Sequence, residues 1–124
     1  MSLPLGILLR SGGHEAAHYA LVLATGAAAI GRPAVLFATN GGCHLLRRDT
    51  PLPHDPRETL LAGRGVAGVA PLLAAAVELG VRRIACEAGL RAEGLDATAL
   101  AEGVEVAGVV TFLAAVGQGQ MLAL

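Results

Sequence analysis

Two cysteines and a few histidines, arginines and acids beside glycine-rich turns carry most of the reactive chemistry in this chain. Cys86 ends the strand expected over Val81–Cys86, and Glu87-Ala88-Gly89 leads away from it. A thiol at the end of a buried strand, close to a following helix start, is placed to react as a thiolate. Glu87 opposes that state by setting a second negative charge beside it, whereas Arg10 favours it if the fold brings the two close. The competing reading is an inert core cysteine, because free Cys is among the most buried residue types. Residue chemistry alone leaves the two readings level. Cys43 lies in a glycine turn next to His44. It is expected to be the more exposed thiol, either a partner for exchange with Cys86 or an incidental loop cysteine.

Two further motifs carry possible chemistry. His14-Glu15-Ala16-Ala17-His18 is an H-E-x-x-H string. On a helix its histidines share one face and could chelate zinc, with Glu15 as base. No third ligand follows at a suitable spacing, and the motif opens the first helix of a β-α-β unit. A helix-start histidine bonded to a loop or ligand is the preferred reading, and no metal is expected. Gly63-Arg64-Gly65-Val66-Ala67-Gly68 is a G-x-G-x-x-G string at a helix start. A dinucleotide fingerprint needs a strand in front of it. Thr59–Ala62 supplies too little apolar sequence, so these glycines read as helix-packing positions and no cofactor is expected.

These residues must be held by one small body. The 124 residues are enough for one domain, 1–124, with one core. The chain is 54% hydrophobic and only 15% charged, much apolar surface for a small protein to hide. A homo-oligomer is therefore expected. Net charge is −1 and aromatics are 2%, which argues against nucleic-acid partners. All nine basic residues are arginine, so Schiff-base and P-loop lysine chemistry are excluded. The longest apolar stretches, Tyr19–Ile30, Val66–Val77 and Val106–Val116, fall short of the ~18 residues of a membrane helix. No secretory signal is evident, and two cysteines in a chain expected to be cytoplasmic read as thiols.

Strands are expected at Leu3–Leu9, Pro33–Ala38, Val81–Cys86, Val104–Ala107 and Gln120–Leu124. Helices are expected at His14–Ile30, started by Ser11 or a nearby glycine, and at Val66–Leu79 and Val109–Val116. A further helix is expected from Asp96 through Glu102. The proline-rich Arg47–Glu58 segment reads as an exposed loop that could serve as a lid. Alternating elements of this kind predict an α/β fold, a three-layer α/β/α sandwich with about five mostly parallel strands. In the flavodoxin-like strand order the first strand lies between the second and third. Ligands in such sheets sit at the carboxyl ends of the strands, which singles out the loops Arg10–His14, Thr39–His44 and Cys86–Gly89. Their candidate residues are Cys86, with Arg10, Ser11, His14, Cys43, His44 and Glu87 in support.

The segment Ile84-Ala85-Cys86-Glu87-Ala88-Gly89-Leu90-Arg91-Ala92-Glu93-Gly94-Leu95 resembles the DsrE/DsrF/TusD family of sulfur-relay proteins. That family carries its active cysteine at a strand end with a glycine eight residues on, as Cys86 and Gly94 stand here. Gly31-Arg32-Pro33-Ala34-Val35-Leu36-Phe37 and the tail Gly103–Leu113 are similar to family segments in the same order. In place of the methionine-rich surroundings of some subgroups this chain has Ala88, Gly89 and Leu90. The resemblance implies a flavodoxin-like fold, assembly into trimers or hexamers, and a persulfide on Cys86 handed to a partner protein. From another class comes the alternative of a non-enzymatic small-ligand or anion-binding module, whose glycine-rich loops offer backbone N–H groups.

Overall fold

The computed structural model describes residues 2–124. Five parallel strands form one sheet: β1 (Leu5–Leu9), β2 (Ala34–Ala38), β3 (Arg82–Cys86), β4 (Glu105–Ala107) and β5 (Gln120–Ala123). Around them lie α1 (His14–Ala29), α2 (Pro56–Gly63), α3 (Val69–Glu78), α4 (Glu87–Ala92) and α5 (Val109–Val116). Short 3-10 helices span Asn40–Leu46, Leu52–His54 and Ala97–Ala99. The expected α/β sandwich is therefore present.

The strand order is β4-β3-β2-β1-β5. This corrects the expected central order, since β2 lies between β1 and β3, and β1 lies between β2 and β5. The layers follow from that order. Parallel crossovers are right-handed, so three successive moves in one direction, β1 to β2 to β3 to β4, put their connections on one face. The return from β4 to β5 runs the other way and puts α5 on the opposite face.

Side-chain alternation along the strands divides the core accordingly. Ile7, Leu36 and Ala85 point towards α1 and α3 in the larger cluster, which also takes Leu90 of α4. Val35, Phe37, Ile84 and Cys86 point the other way, against Phe112 and Val116 of α5. Phe37 and Phe112 stack with ring centroids 4.7 Å apart. At the sheet edge, Arg82 donates two hydrogen bonds to Glu105, at 2.7 and 2.9 Å. The pair is half exposed and contributes little to stability, but it places charge on the edge strand, which discourages pairing with another sheet.

Three further expectations need correction. The Arg47–Glu58 segment is not a loose lid. Arg47 bridges Leu100, Leu52 is buried in the larger cluster, and α2 begins at Pro56. Asp55 caps that helix by accepting from the Arg57 N–H at 2.8 Å, with Pro56 in the first turn. Asp96 does act as a cap, accepting from Thr98, but the helix it starts is only Ala97–Ala99. The Val66–Leu79 helix starts later, at Val69, because Gly65 takes φ +73° and Gly68 is the extended cap. Pro71 falls in its first turn, where the missing N–H has no partner to lose.

Candidate functional site

Cys86 is the last residue of β3 and the N-cap of α4. Its register partner on β4 is Ala107, the last residue of that strand. The chain leaves β3 towards the α1/α3 face and leaves β4, through Gly108, towards the α5 face. Adjacent strands whose connections depart to opposite sides leave a crevice at their carboxyl ends, the usual ligand position in open α/β sheets. Cys86 stands at that crevice. Its side chain packs with Phe37, Ile84 and Phe112, is 9% exposed, and its Sγ accepts the Gly89 N–H at 3.4 Å. Glu87 points outward and pairs with Arg91 at 3.2 Å, so its charge has a partner of its own.

The start of α4 is tightly seated. A Cβ on Gly89 would lie 2.5 Å from the Asn40 nitrogen and 2.5 Å from Thr39 Oγ1. Only glycine lets the helix approach the end of β2 this closely. Asn40 itself adopts φ +49°, a left-handed conformation that asparagine tolerates. Thr39, Asn40, Gly89 and Ala107 thus surround the candidate thiol; the first three lie in loops that the sequence singles out, and Ala107 does not. Beside the crevice, a cavity of about 240 Å³ is lined in part by Glu87, Leu90, Arg91 and Val106.

Cys43 is not an exposed loop thiol. It is fully buried in the 3-10 helix after β2, and its Sγ lies 3.5 Å from the Ala38 carbonyl oxygen. Burial, with the neighbouring Cys86 and Glu93 adding to it, pushes its pKa up to about 11. The next residue, His44, is half-buried between Glu93, 2.8 Å from Nε2, and Arg47, 3.2 Å from Nδ1. Arginine can only donate, so Nδ1 accepts from Arg47 and Nε2 donates to Glu93.

The structure does not bring the remaining candidates to Cys86. Arg10 and Ser11 follow β1, and β2 separates β1 from β3, which puts them ~10 Å across the sheet. Both are exposed, and the Arg10 guanidinium makes no ion pair among the described residues. His14 is buried and donates from Nε2 to Glu58, whose other oxygen accepts the Val69 N–H at 3.0 Å. His18 donates to the Ala67 carbonyl at 2.8 Å and stacks on His14. Glu15 faces Arg57 at 3.5 Å. The H-E-x-x-H residues thus tie α1 to the α2–α3 connection. The residues before Gly63 form α2, so the G-x-G-x-x-G string follows a helix, not a strand. Among the described residues no group of three His, Cys, Asp or Glu is placed to hold a metal, and no helix is long and apolar enough to cross a membrane.

Comparison with known proteins agrees with this fold. A sequence model described as the DsrE/DsrF-like family matches residues 4–122. No curated protein matches the chain. Among solved structures, the chain is similar to the protein of unknown function MTH1491 from Methanobacterium thermoautotrophicum. That alignment has 21% identity over 99% of this chain and 100% of the other, with a TM-score of 0.63. It is also similar to the ychN protein from E. coli, at 15% identity over the whole of both chains, with a TM-score of 0.69. At these identities the two likenesses speak to the fold.

Proposed function

Because the chain belongs to the DsrE/DsrF-like family, we propose that it is a sulfur carrier in which Cys86 holds a persulfide for a partner protein. The observation that carries this reading is the position of Cys86 at the crevice between the carboxyl ends of β3 and β4. The Cys86 thiolate attacks the terminal sulfur of a persulfide donor R–S–SH. The donor's S–S bond breaks, a new S–S bond forms on Cys86, and R–S⁻ leaves, so one neutral sulfur moves with no net oxidation. An acceptor thiolate then repeats the attack on the terminal sulfur. The Gly89 N–H is already directed at Sγ and stays with it through both steps. Phe37 and Phe112 keep water from the inner side of the sulfur.

Exposed apolar residues fit the expected self-assembly. Val109, Val110 and Leu113 of α5 and Met121 of β5 are at least half exposed on one face of the sheet. We assign this face to a second copy of the chain, in the trimer or hexamer that the family resemblance implies. Two free thiols suit a reducing compartment such as the cytoplasm.

The test of sulfur carriage is intact-mass spectrometry after incubation with polysulfide or thiosulfate, on wild type, Cys86→Ser and Cys43→Ser. The expected result is a reductant-labile gain of one sulfur, ~32 Da, lost only in Cys86→Ser. No adduct on wild type, with Cys86 inert to alkylation in the folded protein, would reduce it to a core residue.

A further inference from the structure

A second cavity, of about 340 Å³, lies on the face of the sheet that Cys86 turns away from. Leu46, Leu73, Ala74 and Val77 give it apolar walls, and Arg47, Arg48 and Arg83 reach it from two sides. Arg83 is the unusual member. It projects from β3 into the interior and is only 8% exposed. Its Nη2 donates to the Glu102 carbonyl at 3.0 Å, and the next residue, Gly103, takes φ +86°, a left-handed conformation that favours glycine. Among the described residues no carboxylate pairs with this guanidinium. Its Nε is buried with no hydrogen-bond partner, and so is the Nε of Arg47.

A buried cation without a counter-ion is costly, and an apolar side chain of similar length would serve the fold better. Desolvation lowers the Arg83 pKa, as expected where nothing negative offsets burial. The neighbouring charges do not fill the deficit. Arg47 is already engaged with Asp49 at 3.2 Å and with His44, and Arg48 is exposed without an ion pair. Glu102, the one acid in the lining, offers Arg83 its backbone carbonyl, not its carboxylate.

We infer that this cavity binds a small organic carboxylate, its head group paired with Arg83 and its apolar body lying against α3. A planar carboxylate matches the guanidinium fork. The apolar walls require a body as well as a charge, and the volume, at the low end of small-molecule sites, suits about five to eight carbons. This site is separate from the sulfur reading and does not depend on it.

The test uses the full chain in thermal-shift and calorimetric titrations with hexanoate and benzoate. Acetate serves as a head group without a body, and hexanol as a body without a charge. Hexanoate or benzoate should raise the melting temperature in a saturable way, with acetate and hexanol at least tenfold weaker. Arg83→Met should melt no lower than wild type without ligand, yet lose at least tenfold in affinity. Ala74→Trp, at an exposed position on the cavity wall, should block binding while leaving the charges intact, and it decides the matter if Arg83→Met does not fold. Cys86→Ser should bind as wild type does. No saturable response in wild type, an equal response to acetate and hexanoate, or unchanged binding in Ala74→Trp would overturn the proposal.

Discussion

Cys86 and Ala107 sit side by side as the last residues of β3 and β4, the neighbouring strands whose connections leave towards opposite faces of the sheet. The sulfur has the Gly89 N–H on one side and the ring of Phe112 in its cluster on the other. Its setting therefore depends on how closely α4 and α5 approach the strand ends.

That dependence can be measured at Gly89. Alanine usually stabilises a helix relative to glycine by about 1 kcal/mol. Here its Cβ would meet the Asn40 nitrogen and Thr39 Oγ1 at 2.5 Å, and backbone cannot rotate aside. Overpacking of this kind costs roughly 1–3 kcal/mol. Gly89→Ala should lower stability in urea unfolding and slow sulfur loading of Cys86 together. A gain in stability would show that α4 is not seated against β2 as described.

Cys43 predicts an alkaline limit to stability. Its pKa rises from 9.0 to about 11 on folding, chiefly through burial. A raised thiol pKa stabilises the fold fully below pH 9, where the unfolded chain also keeps its proton. That contribution is lost as pH rises through 11. The expected loss is on the order of 2–3 kcal/mol. Cys43→Ala should be less stable than wild type at pH 7, through lost packing, yet fall less steeply between pH 9 and 11. Parallel urea titrations at pH 7, 9, 10 and 11 give the comparison, and identical slopes would remove Cys43 as the cause.

The parts of this architecture that were legible in the sequence are those with local causes. The Val109–Val116 helix is an apolar run between two glycines, and the strand ending at Phe37-Ala38 is an apolar run closed by the Asn40-Gly41-Gly42 turn. The strand order has no such signal, because no local pattern distinguishes β2 from β1 as the central neighbour of β3. That choice misplaced Arg10 relative to Cys86. Cys43 was misjudged for a related reason. Glycines at 41 and 42 suggest a turn in solvent, but Gly42 approaches the Leu9 carbonyl so closely that the turn folds inward. The helix from Pro56 did carry a local signal, Asp-Pro at 55 and 56, but the surrounding prolines masked it.

The H-E-x-x-H histidines should prove structural. Glu58 accepts from His14 and from the Val69 N–H, joining α1, α2 and α3 through one carboxylate. Removing it leaves two buried donors unpaired, at a cost of about 2–4 kcal/mol. Glu58→Ala and His14→Ala should each destabilise, and the double variant should lose less than their sum. Chelator treatment should leave the wild-type melting temperature unchanged. A drop with chelator, restored by zinc, would return the motif to metal chemistry.

Self-assembly should depend on the outer side of α5. Val110 is 76% exposed, and Val109 and Leu113 are about half exposed on the same helix, whose inner side is already filled by Phe112 and Val116. Because the inner contacts hold the fold, a charge on the outer side should leave the subunit intact. Val110→Glu and Leu113→Glu should each shift the sedimenting species from trimer or hexamer towards monomer. Melting of the separated subunit should change little beyond the stability lost with assembly itself. A like-charged glutamate repeated in each copy opposes reassociation through repulsion and desolvation. Wild type sedimenting as a monomer at micromolar concentration would contradict the assignment. So would an assembly that both glutamate variants leave intact, since a second copy would then have to use another face.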